Sequence, residues 1–216
     1  MTVELVDSMG SDLSIVNAAR VSMDKRHDVF DEVADTRLIE YLAREGHWSP
    51  FAHTALSFRI TAPIFVARQL AKHVVGLCWN EVSRRYVDSE PEFYQPTEWR
   101  GRAENVKQGS GGVLSPKFTL GANITYQRAM NDAQDAYLHL LDLGVCPEQA
   151  RAVLPVATLT QWIWTGSLYA FARVCQLRLD SHAQQETRVI AEGIAVECGR
   201  LFPVAWRALM GEQNAQ

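Results

Sequence analysis

The 216-residue chain has no apolar run approaching the ~18 residues that a membrane helix needs, which excludes a helical membrane span. Cysteine is sparse: Cys78, Cys146, Cys175 and Cys198 lie far apart, with no C-x-x-C pair and no histidine at zinc spacing. Neither a disulfide frame nor a metal site is expected from them, and they read as reduced thiols. Surplus positive charge is also missing, because 21 Lys and Arg stand against 25 Asp and Glu, a net charge of −4. Coating bulk nucleic acid needs an excess of cations to neutralise phosphates, so that role is excluded, although a local basic cluster can still hold one nucleotide. Met1 to Met9 carries Glu4 and Asp7 and no basic-then-apolar leader pattern, so a soluble, cytoplasmic protein is expected. With 13 glycines and 8 prolines the chain is too poor in both for low complexity, and 47% hydrophobic with 21% charged residues is a globular balance.

Hydrophobic periodicity then sets out the elements. Thr2 to Val6 alternates weakly and reads as a strand, and Asp12 to Val21 as a helix capped by Ser11. Asp35 to Arg44 predicts a second helix stopped at Gly46, and Thr54 to Thr61 a half-buried strand. Pro63 fits the start of a helix to about Val75, followed by an extended stretch from Asn80 to Val87. Ser89 to Pro116 is rich in Gly and Pro and reads as a long loop or insert. A long helix from about Leu120 to Leu143 should pack through Tyr126, Met130, Ala133, Tyr137 and Leu141. A short helix over Glu148 to Val153, a strand over Thr158 to Thr165, and helices over Ser167 to Arg178 and Gln184 to Phe202 complete the chain, with Pro203 as a stop. With no repeat and no break in composition, the expectation is one α+β domain over residues 1–216, a central mixed or antiparallel sheet packed by long helices.

Three clusters carry chemistry. Arg68-Gln69-Leu70-Ala71-Lys72-His73 and Asn80-Glu81-Val82-Ser83-Arg84-Arg85-Tyr86 gather four cations, a histidine, two amides and a serine within nineteen residues. Helical spacing pairs Gln69 with His73, and period two puts Ser83 and Arg85 on one side of an extended segment. A helix end beside Ser and Arg fits a phosphate cradle, although composition alone favours a solvated basic face. In Leu177-Arg178-Leu179-Asp180-Ser181-His182, an arginine between two leucines is expected to be partly buried and to need a partner, with an Arg178–Asp180 pair and a capping His182 as the plain alternative. Glu45-Gly46-His47-Trp48-Ser49-Pro50-Phe51 joins a helix stop to a strand, where His47 alone would be an ordinary surface or capping histidine.

Taken together these stretches resemble the flavin-dependent thymidylate synthases. Asn80 to Tyr86 resembles their N-E-x-S-x-R-Y core, Leu177 to Gln184 their L-R-x-D-S-H-A-Q segment, and Gly46 to His53 their G-H-x-[ST]-P-F-x-H element. Ala19-Arg20-Val21-Ser22, Ala150-Arg151-x-x-Leu154-Pro155 and Trp164-Thr165-Gly166-Ser167-Leu168 match in the same order, so the likeness runs from about Ala19 to Phe202. The family's R-H-R reads Lys72-His73-Val74 here, and nine residues separate His73 from Ser83, one more than the family's pattern. Lysine keeps the charge but loses the planar fork of arginine.

The resemblance implies reductive methylation of dUMP to dTMP, with methylenetetrahydrofolate as carbon donor, FAD as hydride carrier and NADPH as reductant. Carried over residue by residue, it implies Gln69, Lys72, Ser83, Arg84, Arg85 and Arg151 as dUMP ligands, with Arg178 both binding the base and serving as the catalytic electrostatic group. Ser22, His47, Ser49, Lys72, His73, Val74, Asn80, Glu81, Ser167, Arg173 and His182 fall to the flavin and folate. It further implies a homotetramer with active sites shared between subunits. Cys78 sits in an apolar connector and is expected to be packing rather than a nucleophile. The rival readings are a pyrimidine hydroxymethyltransferase of the same family and a non-catalytic nucleotide-binding homologue.

Overall fold

A computed structural model describes residues 1–103 and 109–211. The elements run β1 (Thr2–Met9), α1 (Asp12–Arg20), α2 (Ala34–Arg44), β2 (Ala55–Pro63), α3 (Ile64–Leu70), β3 (Leu77–Glu81), β4 (Arg100–Arg102) and β5 (Ser110–Val113). They continue with α4 (Pro116–Asp142), α5 (Pro147–Ala150), β6 (Leu159–Gly166), α6 (Leu168–Arg178), α7 (Gln185–Leu201) and α8 (Pro203–Met210). The class is α+β, as expected, with a four-stranded sheet in the order β1-β2-β6-β3 and a separate antiparallel pair β4-β5. No helix among the described residues is long and apolar enough to cross a membrane.

Two compact units emerge, neither contiguous in sequence, which is why no linker marks a boundary: Thr61–Ala71 with Glu81–Trp162, and Thr2–Ile60 with Lys72–Asn80 and Ile163–Gln216. In the second unit, Leu56, Phe58 and Ile60 alternate inward along β2 and are fully buried, as a strand with one covered face requires. Phe58 meets Phe171 of α6 edge-on with ring centroids 5.0 Å apart, Phe171 meets Trp164 at 5.5 Å, and Trp164 meets Trp79 at 5.5 Å. Ser57 and Thr165 hydrogen-bond through their hydroxyls at 2.8 Å. The helices α6, α7 and α8 pack on one another, and α2 packs on α8.

The chain after α1 is tied down by one carboxylate. Asp35 is fully buried and accepts from Arg20 Nη2 at 2.8 Å and from the Asp31 backbone N–H at 2.9 Å, and it bonds His27 Nδ1 at 2.9 Å. Burial works to raise its pKa, but these three hydrogen bonds outweigh burial and hold it below the ordinary value.

In the first unit, α4 starts at Pro116, four residues earlier than its periodicity suggests, and turns Met130 and Tyr137 into the core with Tyr126, Ala133 and Leu141 half-buried. Its stripe is the packing face it was expected to be. The predicted loop over 89–116 is only partly a loop. Arg100 pairs with Val113 and Arg102 with Ser110, and Phe93 forms a bridge to Thr158; residues 104–108 of that stretch lie outside the described residues.

Three expectations need correction. Helix α3 ends at Leu70, not Val75, so Lys72 and His73 lie in the following turn and no helical face joins them to Arg68 and Gln69. Val74 and Val75 are poor helix formers, and Gly76 reverses the chain at φ +74°, leading into β3. The extended stretch from Asn80 closes at Glu81, and Ser83 to Val87 is a turn in which the Tyr86 and Val87 N–H groups donate to the Ser83 carbonyl. Pro203 stops α7 as expected, but the helices do not finish there, because the same proline begins α8. Proline suits a first helical turn, and the α8 N-terminus is capped from far away by Asp12, whose carboxylate accepts from the N–H groups of Val204 at 3.0 Å and Ala205 at 2.9 Å.

Gly166 marks the tightest approach around the turn that carries His73. A Cβ there would meet the Gly76 carbonyl oxygen at 2.7 Å and Leu77 Cδ2 at 2.4 Å. Gly166→Ala should cost about 1–3 kcal/mol, the usual cost of overpacking, measured by urea unfolding. Gly121, inside α4, has open space at its Cβ position, so Gly121→Ala should instead stabilise by roughly 0.5–1 kcal/mol through helix propensity.

Candidate active site

A broad cleft lies in the first unit. It has a volume of about 850 Å³, and Glu81, Arg84, Arg151, Thr160 and Gln161 are among its lining residues. Arg84 is not free to act as a mobile ligand: its Nη1 donates to the Ser89 carbonyl at 2.7 Å and its guanidinium lies 5.8 Å from the centre of the Tyr137 ring. It clamps the turn after Ser83 to α4. Arg151 is exposed in the 3₁₀ turn after α5, with Nε donating to the Glu148 carbonyl at 3.2 Å. Thr160 Oγ1 donates to the Glu81 carboxylate at 2.8 Å, orienting it from β6. Gln69 is half-buried on α3 and is not among the cleft-lining residues.

Ser83 and Arg85 do come together, though by a different route from the one their spacing suggests. The turn lets Arg85 Nε donate to Ser83 Oγ at 3.0 Å, with the guanidinium 5.0 Å from the Tyr86 ring centre. Arg85 is exposed, so a hydroxyl and a planar cation stand side by side at the surface, a pairing suited to phosphate oxygens.

A second cavity of about 360 Å³ lies in the other unit. Lys72, His73, Val74 and Arg173 line it, with Val75, Leu77, Ala170, Val174 and Leu177 as apolar walls and Gln176 beside them. Arg178, the last residue of α6, is half-buried and donates from Nε to His73 Nε2 at 3.0 Å. Asp180, the partner in the plain alternative, binds His182 instead, through the His182 backbone N–H at 2.7 Å and Nδ1 at 3.0 Å. Leu177 is 61% exposed, so burial of Arg178 does not come from both flanking leucines. Burial of His73, and then the charges of Arg178 and Arg173, lower its pKa below the ordinary histidine value.

The remaining expected ligands line neither cavity. Ser22 donates to the Ala19 carbonyl at 3.0 Å, and the His47 ring sits 5.9 Å from that of Tyr41. Ser49 opens a 3₁₀ turn, Asn80 is exposed on β3, and His182 is exposed in the turn after α6. Ser167 caps α6, its hydroxyl accepting from the Ala170 N–H at 3.2 Å. Sequence reasoning missed Tyr137, Thr160 and Gln176, because a core tyrosine, a strand threonine and a helix glutamine carry no local signal of a site.

The fold is an α+β domain with two cavities, one lined by arginines and glutamates and the other by Lys72, His73 and Arg173. The sequence profile of the family described as thymidylate synthase complementing protein matches residues 4–204, and the chain belongs to that family, as a methyltransferase-type enzyme. It is similar to the flavin-dependent thymidylate synthase of Pseudothermotoga lettingae, 38% identical over 193 residues, covering 89% of this chain and 82% of the relative. It is also similar to that of Thermus thermophilus, 40% identical over 206 residues, covering 95% of this chain and 74% of the relative. Among solved structures, the UMP/dUMP methylase PolB from Streptomyces cacaoi superposes with a TM-score of 0.85 at 36% identity, covering 96% of this chain and 93% of the other, in a complex with 5-Br dUMP. A complex of PolB with 5-Br UMP matches equally, at a TM-score of 0.85 and 35% identity, covering 97% and 93% of the two chains.

The thiols separate clearly. Cys78, expected as packing, is instead exposed on β3, as is Cys146 in its loop, while Cys175 and Cys198 are buried in the helical core with their thiol pKa values pushed far up by burial. A chromogenic disulfide should therefore titrate two thiols rapidly in the folded protein and four in denaturant. Cys78→Ser should lower the fast count to one and leave turnover within about threefold, since a surface cysteine without an activating partner is inert in the chemistry. Loss of turnover would restore Cys78 as a nucleophile.

Proposed function

We propose that the protein is a flavin-dependent thymidylate synthase that reductively methylates dUMP to dTMP, with methylenetetrahydrofolate as carbon donor, FAD as hydride carrier and NADPH as reductant. The observation that carries this reading is the half-buried Arg178, held by its Nε edge against His73, in a chain of this family. C5 of uracil is a weak nucleophile until negative charge developing on the ring oxygens is stabilised. A fixed guanidinium in a partly dry site supplies that stabilisation without reorganising during the reaction. Ser83, Arg85 and Arg151 offer the hydroxyl and planar cations that anchor a nucleotide phosphate, which positions the ring. Arg84 acts by holding the turn that presents Ser83 and Arg85.

The second cavity fits part of a flavin dinucleotide in its chemistry. Lys72 and Arg173 supply cations for a pyrophosphate, and Val74, Val75 and Leu77 supply an apolar wall for a ring. Its volume of about 360 Å³ suits a portion of such a cofactor, within the general range of ligand cavities of about 300–1,000 Å³. When bound, the flavin would supply the hydride; the protein's part is to hold, orient and desolvate the reactants. Lys72 in place of an arginine still neutralises charge but makes no fork. Val74 offers only backbone and apolar contact. Ser22, His47, Ser49, Asn80, Glu81, Ser167 and His182 complete the flavin and folate ligands on this reading, and a homotetramer would bring ligands from different subunits into one site.

A second reading concerns the sugar. The structural likeness to PolB, whose complexes hold both 5-Br dUMP and 5-Br UMP, favours an acceptor site open to ribonucleotides. The deciding experiment incubates flavin-reconstituted protein with methylenetetrahydrofolate, NADPH and either dUMP or UMP, and weighs the product. A nucleotide heavier by CH₂ is expected; one heavier by CH₂O would make the enzyme a hydroxymethyltransferase, and a colourless protein with no product would end the synthase reading. Arg178→Ala should bind flavin normally yet lose methyl transfer by about 10²-fold or more, as removal of a preorganised charge does. If subunits share sites, inactive Arg151→Ala and Arg85→Ala chains should regain partial activity when co-assembled, because some mixed sites contain neither change.

A further inference from the structure

His73 sits in the turn between α3 and β3, and its side chain hydrogen-bonds to Arg178, 105 residues further along the chain. The donor is the guanidinium Nε–H and the acceptor is the imidazole Nε2, at 3.0 Å. Arginine never surrenders its protons in a protein, so the histidine must supply the lone pair. That fixes the tautomer: Nε2 is bare and the ring proton is on Nδ1. The contact also engages the Nε edge of the guanidinium and leaves the Nη1–Nη2 edge, the one that forms paired hydrogen bonds with planar acceptors, outside it.

We propose that His73 is a positioning residue for Arg178, its Nε2 fixing the plane of the guanidinium so that the Nη edge is presented to the pyrimidine ring. The proposal rests on the synthase reading and adds to it a role for His73 beyond holding flavin. A half-buried guanidinium at the end of a helix, beside an exposed Leu177, still has several rotatable bonds about which to turn. One hydrogen bond from a half-buried ring removes that freedom before substrate arrives, and preorganisation of this kind makes an electrostatic group effective.

The arrangement works only while His73 is neutral. A second ring proton would set N–H against N–H and release Arg178. The charged groups facing His73 are Arg178 and Arg173 from α6 and Lys72 from its own turn, and no carboxylate lines the cavity. All three are cations, so they oppose protonation together with burial. Because the folded-state pKa is lowered, the contact is intact above the ordinary histidine range and is lost as pH falls through the lowered value.

Two measurements test this. In protein labelled with ¹⁵N-histidine and free of substrates, the His73 ring, assigned by its disappearance in His73→Gln, should show a protonated Nδ1 and a bare Nε2 at neutral pH. Arg178→Ala should move its titration upward. In steady-state kinetics at saturating flavin, His73→Gln, whose side-chain oxygen can still accept from Arg178, should retain several times the kcat of His73→Leu and lose the acid-side fall of the wild-type profile. His73→Leu, which offers no acceptor, should lose kcat by about tenfold or more. An Nε2-protonated ring at neutral pH, a titration unmoved by Arg178→Ala, an acid limb that persists in His73→Gln, or equal kcat in the Gln and Leu variants would each overturn the proposal. Failure of the wild type to form product from any pyrimidine nucleotide would end the synthase reading, and the ring signals would still decide whether His73 holds Arg178.

Discussion

The missing side chain at Gly166 is the constraint on which the arginine site depends. The last residue of β6 lies so close to the Gly76 carbonyl that a single added carbon would collide with backbone. With hydrogen there instead, the turn Lys72–Gly76 lies against the end of the strand, and the next residue, Ser167, caps α6 with its own hydroxyl. The direction of α6 is thereby set one residue after the close approach, and α6 carries Arg173 and Arg178. The His73 turn and the helix bearing its partner are thus fixed by two neighbouring residues. Phe171 on the same helix locks the arrangement into the Phe58 and Trp164 rings.

The two cavities handle charge differently. In the larger cleft Arg84 is committed to the Ser89 carbonyl and the Tyr137 face, and the Glu81 carboxylate accepts from Thr160. Glu90, Glu92 and Glu148 also line it, which keeps the chain's negative balance close to its cations. Arg85, by contrast, is exposed and joined to the half-buried Ser83 by a hydrogen bond that involves no carboxylate. In the smaller cavity cations line the wall with no acid among them. A site of that sign attracts anions and depresses the pKa of any histidine within it.

Much of this was legible in the sequence, because strand and helix periods follow directly from which residues must be buried. Leu56, Phe58 and Ile60 announced β2, and the stripe through Met130 and Tyr137 announced α4. Motif order pointed to His73, Arg85, Arg151 and Arg178 before any fold was known. The failures share a cause. The capping of α8 depends on Asp12, a residue nearly two hundred positions away, so Pro203 read locally shows the end of α7 but not the helix it also opens. The pairing of β4 with β5 joins two short glycine-containing stretches with no apolar alternation to betray them. The need of Arg178 for a partner was legible but the partner was not, since the only neighbouring candidate, Asp180, closes its own turn onto His182 and the bond goes to His73 far along the chain.

That exchange of partners has a chemical consequence. Had Arg178 paired with Asp180, a carboxylate would have neutralised the guanidinium and competed for its Nη edge, weakening any field it exerts on a bound ring. A neutral imidazole fixes the same group while leaving its charge whole. It also costs little to bury beside a cation, since its lone pair is satisfied and its one proton remains on the far nitrogen. Asp180 meanwhile accepts two hydrogen bonds within its own turn, both from His182, and these hold its carboxyl below the ordinary pKa. The acid that could have quenched the arginine is kept ionised and occupied elsewhere, so the helix end presents a full positive charge where a developing anion would need it.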